Sequence, residues 1–382
     1  AMEILYEVQK NNGLLHVVLS DALKKYQYLD KNERSFISRL VQGTEERKIE
    51  LDYIIDSFSK TPVKKQKDVI RIILEMSVYQ LKYMDSVPAS AVCNEAVKLA
   101  VKKNFGTLRG FVNGVLRNIA RNIDNIEYPD KSTNTDKYLS VKYSVPEELA
   151  GYFLKKFGDN ETEEMFEAFN KDKSTYIRCN TKKTDIAGLT AALEAEGVTV
   201  TNEGIDKRID YALKISGYDY LGGLKSFRDG LFFVQDISSM LASQGGFIKR
   251  DAYVIDVCAA PGGKSINAAL MADIGHVSSR DISGRKVSLI KENAERLGID
   301  NITYKVWDAV KKDEESVEKA DVLICDLPCS GLGIIGRKPD IKYNVTYEKI
   351  KELALLQRKI LSTVWEYVKK DGILIYLSLI HI

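Results

Sequence analysis

Between Ile70 and Leu81 the apolar positions Ile70, Ile73, Leu74, Val78 and Leu81 recur at steps of three and four, the spacing that lines one face of an α-helix. The same period, without an alternating run, holds from the start of the chain to about residue 125, so residues 1–125 are expected to form an all-helical domain with turns at Pro62 and Pro88. At 122–136 the chain becomes polar and aperiodic (NIDNIEYPDKSTNTD), which reads as a linker. Residues 138–228 mix helical stretches, Glu161–Asn170 and Thr184–Gly197, with a strand-like Thr175–Arg178, the pattern of a small α+β connector. From residue 229 to the end, short apolar strands (AYVIDVC, HVSSRD, ITYKVWD, ADVLICD, GILIYL) alternate with helical runs. That alternation predicts a doubly wound, mostly parallel α/β sheet with its ligand sites at the carboxyl ends of the strands.

Length agrees with this division, because 382 residues at roughly 150 per domain make two to three domains. The formal net charge is only +2, yet Lys60 to Arg121 holds 12 basic residues against four acidic ones, a local +8 that suits a polyanion such as RNA. The five cysteines, Cys93, Cys179, Cys258, Cys325 and Cys329, have no paired spacing, which points to a reducing, cytoplasmic compartment. With His16, His276 and His381 far apart, no metal site is expected. No charge-free apolar run reaches the roughly 18 to 20 residues of a membrane span.

The chemistry-bearing residues fall at the predicted strand ends. After the first strand comes Cys258-Ala259-Ala260-Pro261-Gly262-Gly263-Lys264-Ser265, small residues opening a helix, where backbone can approach a ligand closely. Gly263-Lys264-Ser265 imitates the end of a P-loop, but the first glycine of that motif would have to stand at Cys258. Asp281, Asp308 and Asp326 close the next three strands; one such aspartate reads as a helix cap, whereas the set beside a glycine-rich loop reads as a nucleoside site. Asp326 runs into Leu327-Pro328-Cys329-Ser330-Gly331, a sharp turn that presents a thiol for covalent catalysis on an electron-poor ring.

On these residues the chain resembles the bacterial ribosomal RNA cytosine-5 methyltransferases of the RsmB (Sun or Fmu) family, which carry a NusB-like N-terminal domain. The resemblance runs through SFISRLVQGT, VPASAVCNEAVKLAV and FVNGVLRNI, then SVPEELAGYFLKKFG, YIRCNT and FVQDISS, then VIDVCAAPGGKS, Asp281 with Arg285, NAERLG, Asp308, DLPCSGLG and RKPDIKY. It implies S-adenosylmethionine as cofactor, with Cys258 to Lys264 at its methionine end, Asp281 on the ribose, Asp308 near the adenine and Asp326 on the methionine amino group. It also implies action on a single-stranded or flipped cytosine of small-subunit ribosomal RNA; a monomer with no membrane partner is expected. Family members use two cysteines, one in the Pro-Cys turn, matched here by Cys329 and implied to release product, and a nucleophile in a Tyr-Ser-Thr-Cys motif on the next strand. That second position is Leu379 here. The closing residues LSLIHI depart from the family pattern, so the native sequence is expected to end at Tyr376, leaving the α/β domain C-terminally truncated and the chain poor at turnover. Attack by Cys329 itself, or a noncatalytic RNA-binding scaffold, are the competing readings.

Overall fold

The computed structural model describes residues 1–11, 13–171 and 174–378. They divide into two compact units, Ala1–Asp172 with Gly331–Thr346, and Lys173–Ser330 with Tyr347–Ile382. No helix among the described residues is long and apolar enough to cross a membrane.

The first unit is helical. Helices span Met2–Lys10, Leu15–Lys25, Lys31–Glu46, Lys48–Phe58, Asp68–Tyr83, Ala89–Lys102 and Arg109–Asn122. Asp68–Tyr83 is the central one, burying Ile70, Ile72, Ile73, Leu74 and Val78 in one core shared with the other helices. Lys31–Glu46 opens with a capping box, the Asp30 side chain accepting from the Glu33 N–H while Glu33 reaches back to the Asp30 N–H. The 122–136 stretch lacks long elements but is fastened down: the Tyr128 ring stacks on Tyr53 with centroids 6.4 Å apart, and its hydroxyl donates to Glu50.

The boundaries of these units differ from the three-domain division. Helices Thr135–Tyr143, Glu147–Phe157 and Asp159–Phe169 pack with the helical unit rather than with a connector. Ser144, at left-handed φ of 56°, turns its hydroxyl to accept from the Ile49 N–H at 2.9 Å. Residues 331–346, embedded in the α/β sequence, also belong to the helical unit. The reason lies at the C-terminus of Lys31–Glu46, where backbone carbonyls lack intrahelical partners. Lys342 Nζ donates to the Glu46 carbonyl at 2.6 Å and the Tyr343 hydroxyl to the Glu45 carbonyl at 2.8 Å. A buried ammonium at that end also suits the helix dipole.

The second unit holds two sheets. Strands β1 (Thr175–Cys179), β2 (Thr199–Thr201), β3 (Ala212–Ser216) and β4 (Phe232–Val234) form an antiparallel sheet in the order β2-β3-β1-β4. The connector sheet therefore extends past residue 228. Strands β5 (Tyr253–Asp256), β6 (His276–Asp281), β7 (Ile302–Val306), β8 (Ala320–Asp326) and β9 (Val368–Leu377) form the parallel sheet in the order β7-β6-β5-β8-β9, the predicted doubly wound arrangement. Side chains alternate between its faces. Val254, Val322 and Ile324 pack with Ile266, Ile290 and Ala294, whereas Ile255, Leu323 and Cys325 pack with Ile360 and Val364 of the helix Tyr347–Val364.

The two sheets are joined by buried polar groups from β1 and the turn after it. Asn180 Nδ2 donates to the Gly230 carbonyl at 2.8 Å and to the Leu297 carbonyl at 2.7 Å, the latter at the end of the helix Gly284–Leu297. Gly230 has a φ of +70°, and a Cβ there would stand 2.0 Å from the Arg296 carbonyl oxygen, so the close approach requires glycine. Asn180→Ala leaves both carbonyls without this donor and is expected to cost about 1–3 kcal/mol in urea denaturation. An unchanged midpoint would show that the seam is held elsewhere.

Candidate active site

Because all five strands of the larger sheet run parallel, their carboxyl ends lie along one edge. Asp256 is level with Ser279 on one side and Ile324 on the other, Asp281 with Val306, and Asp326 with Leu377. The loop after β5 leaves this edge. The Ala259 N–H donates to the Arg280 carbonyl at 2.8 Å and the Ala260 N–H to Asp281 Oδ2 at 3.3 Å, tying the loop to the end of β6. Pro261 is exposed, and Gly262 takes a φ of +103°, where a Cβ would crowd Ile290 and Ile266 at 3.1 and 3.2 Å. The helix Gly263–Met271 starts there, so its first N–H groups face the same edge.

Predicted residues meet here to different degrees. Asp281 is buried, and the ammonium that reaches it, at 3.4 Å, comes from Lys286; Arg285 is exposed on the same first helical turn. Lys264 Nζ donates to Asp326 Oδ2 at 2.6 Å, so the loop after β5 is also tied to the end of β8. Asp308 stands two residues beyond the last residue of β7, with Oδ1 accepting from the Val310 N–H at 3.2 Å. The strand ends before it because the Trp307 N–H makes the last bond toward β6, to the Asp281 carbonyl.

Two cysteines border this edge. Burial, together with the nearby Asp256, Asp281 and Asp326 carboxylates, pushes the Cys258 thiol up to about 12, so it stays protonated near neutrality. Cys329, three residues past the end of β8, is half-buried. Position 379, where the resemblance places the second thiol, lies outside the described residues, as does His381.

Two supporting residues were not singled out from the sequence. Asp256 is fully buried at the end of β5; its Oδ2 accepts from the Ser265 hydroxyl at 2.6 Å, and Ser265 in turn accepts from Ser279 at 2.8 Å. A charged residue interrupting the apolar run YVIDVC is the signal that could have revealed it. Arg178 on β1 is also fully buried, donating to Gln235 Oε1 and, at 2.8 Å, to the Gly263 carbonyl at the start of the loop helix. Burial lowers its pKa to about 9.

Residues 248–379 match the profile of the 16S rRNA methyltransferase RsmB/F family, and residues 1–121 match that of the NusB family. The chain is 36% identical over 378 residues to the probable ribosomal RNA small subunit methyltransferase B of Bacillus subtilis (strain 168), covering 98% of this chain and 83% of that protein. It is 32% identical to the protein of the same name from Synechocystis sp. (strain ATCC 27184 / PCC 6803 / Kazusa), over 98% of this chain and 84% of that one. Among solved structures it is similar to PH0851, at 26% identity and a TM-score of 0.79 over 99% of this chain and 84% of that one.

Burial, the largest cause, raises the Asp256 carboxyl from 3.8 to about 7. A group whose folded pKa lies above its unfolded value stabilises the fold fully below the unfolded pKa, and that contribution is lost as pH rises through the folded one. Asp256→Asn is therefore expected to flatten the fall in urea midpoint between about pH 4 and about pH 7. An equally steep fall in the variant would contradict the raised carboxyl.

Proposed function

The chain belongs to the RsmB/F family of 16S rRNA methyltransferases, and we propose that it binds S-adenosylmethionine at the carboxyl edge of its parallel sheet to methylate C5 of a cytosine in small-subunit ribosomal RNA. The observation that carries this reading is the linkage of the loop 258–264 to Asp281 on one side and to Asp326 on the other. The donor set fits that cofactor. The buried Asp281 carboxylate suits a ribose hydroxyl pair, and Asp326 beside Lys264 suits an amino-acid ammonium and carboxylate, while glycine at 262 and 263 lets the loop pack closely on Ile290, Ile266 and Phe233. Asp308 is assigned to the adenine surroundings, Arg285 to the outer side of the same site, and Cys258, Ala259, Ala260 and Pro261 to the loop wall. Bound there, the cofactor supplies an electrophilic methyl group.

Cytosine C5 is a poor nucleophile. A thiolate adding to C6 makes C5 enamine-like; C5 then takes the methyl group, a base removes the C5 proton, and the thiol is eliminated as the ring regains aromaticity. Cys329 is assigned to product release and position 379 to attack. With Leu379 in that place, the chain as written is expected to bind cofactor without multiple turnover. The protonated Cys258 thiol is assigned no covalent role.

RNA is held by phosphate contacts from residues 1–125, the RNA-binding domain, and from the connector 138–228, with residues from 229 as the catalytic domain. The basic stretch contributes less than its count suggests. Arg71 is paired with Asp52 and Glu75, and Lys82 with Glu50, while Lys60, Lys64, Lys65, Lys67, Arg109 and Arg121 are exposed. Binding to a ribosomal RNA fragment is expected to weaken steeply with salt, since each neutralised phosphate releases counterions; salt-insensitive binding would contradict the electrostatic footprint.

Calorimetric titration tests the cofactor site: the chain binds S-adenosylmethionine, and Asp281→Ala weakens binding at least tenfold, whereas unaltered affinity would displace the site from this edge. Trapping with RNA containing 5-fluorocytosine tests the thiol roles. Leu379→Cys is expected to form a covalent adduct that the chain as written does not form. An adduct on the unaltered chain that Cys329→Ser abolishes would assign attack to Cys329 instead.

A further inference from the structure

On the helix Tyr347–Val364 the buried positions are Gln357, Ile360 and Val364. Two of these are apolar and pack under the sheet; the third is an amide that is 1% exposed. A buried amide must have its hydrogen bonds made. Gln357 Nε2 donates to the Pro328 carbonyl at 2.8 Å, the residue immediately before Cys329. Its Oε1 accepts from the Tyr376 hydroxyl at 2.6 Å, and Ser378 Oγ lies 2.9 Å from Nε2 and 3.1 Å from Oε1. One side chain therefore grips the turn after β8 and the end of β9. These are neighbouring parallel strands, with Asp326 level with Leu377, and the Leu327 N–H donates to the Leu377 carbonyl at 3.3 Å.

We infer that Gln357 is a positioning residue that sets the Pro328-Cys329 turn relative to the end of β9, and so fixes where the Cys329 thiol stands beside the bound base. Helix packing alone does not require an amide at this place, since leucine would fill the same position toward Ile360 and Val364 with no polar group to satisfy. A backbone carbonyl of a turn that carries a reactive thiol is held here by a rigid helix rather than by solvent. The inference rests on the proposed role of Cys329, but its test does not use methylation.

The probe is iodoacetamide, with the alkylation rate of each cysteine followed by peptide mass spectrometry on the intact chain. Gln357→Glu keeps the size and the acceptor toward Tyr376 but loses the donor to Pro328; Gln357→Met loses both. In each variant Cys329 is expected to alkylate at least threefold faster while Cys258, in the loop after β5, keeps its rate and S-adenosylmethionine affinity stays within twofold. Equal acceleration of both cysteines would mean that the amide serves only general stability, and an unchanged Cys329 rate would mean that the turn is held without it; either result overturns the inference. Should Gln357→Met fail to fold, Gln357→Glu alone decides. Failure of the cofactor reading would show separately, as absence of S-adenosylmethionine binding by the unaltered chain.

Discussion

The parallel pairing of β5 with β6 and β8 is the constraint from which the rest of the site follows. Parallel strands present all their carboxyl ends on one side, and the pairing levels Asp256 with Ser279 and Ile324. Chemistry can then be assembled from residues far apart in sequence without any of them being placed individually. The loop 258–264 needs only short bonds, Ala260 to Asp281 and Lys264 to Asp326, to become a cradle walled by three strands. Burial on both faces of the sheet keeps the edge rigid, because shifting one strand would move Val254, Val322 and Ile324 out of one core and Ile255 and Leu323 out of the other.

Buried polar residues transmit that rigidity to the loops. Asn180, Arg178 and Gln357 are each 1% exposed, and each has its amide or guanidinium on backbone carbonyls of a neighbouring segment: Gly230 and Leu297, Gly263, and Pro328. Such bonds add modest net stability, but leaving their partners unmade is expensive, so they specify one arrangement of the turns. The helical unit uses the same device on residues 331–346, where Lys342 and Tyr343 occupy carbonyls that end a helix.

What could be read from the sequence was what local pattern determines. The helical period marked Ile70 to Leu81, which lie within the helix Asp68–Tyr83, and short apolar runs bounded by helices placed the parallel strands, with Asp281 and Asp326 at the last positions of β6 and β8. What escaped depended on contacts between distant segments. Nothing local distinguishes Lys286 from Arg285 as the partner of Asp281, since both are on one helical turn and only the backbone path decides which reaches back. The assignment of 135–169 and 331–346 to the helical unit rests on packing and hydrogen bonds between distant segments, such as Ile49 to Ser144 and Lys342 to Glu46, that periodicity does not encode. Gln357 was missed although it breaks an apolar helix face, because one polar residue in such a face is also a common surface feature.

Hydrogen exchange measured with and without S-adenosylhomocysteine tests the account at its centre. The account predicts slowed exchange at the amides of residues 258–264 and just after Asp281 and Asp326, with the helical unit unaffected. Protection absent from these three segments, or concentrated elsewhere in the chain, would contradict the assignment of the cofactor to the carboxyl edge of the parallel sheet.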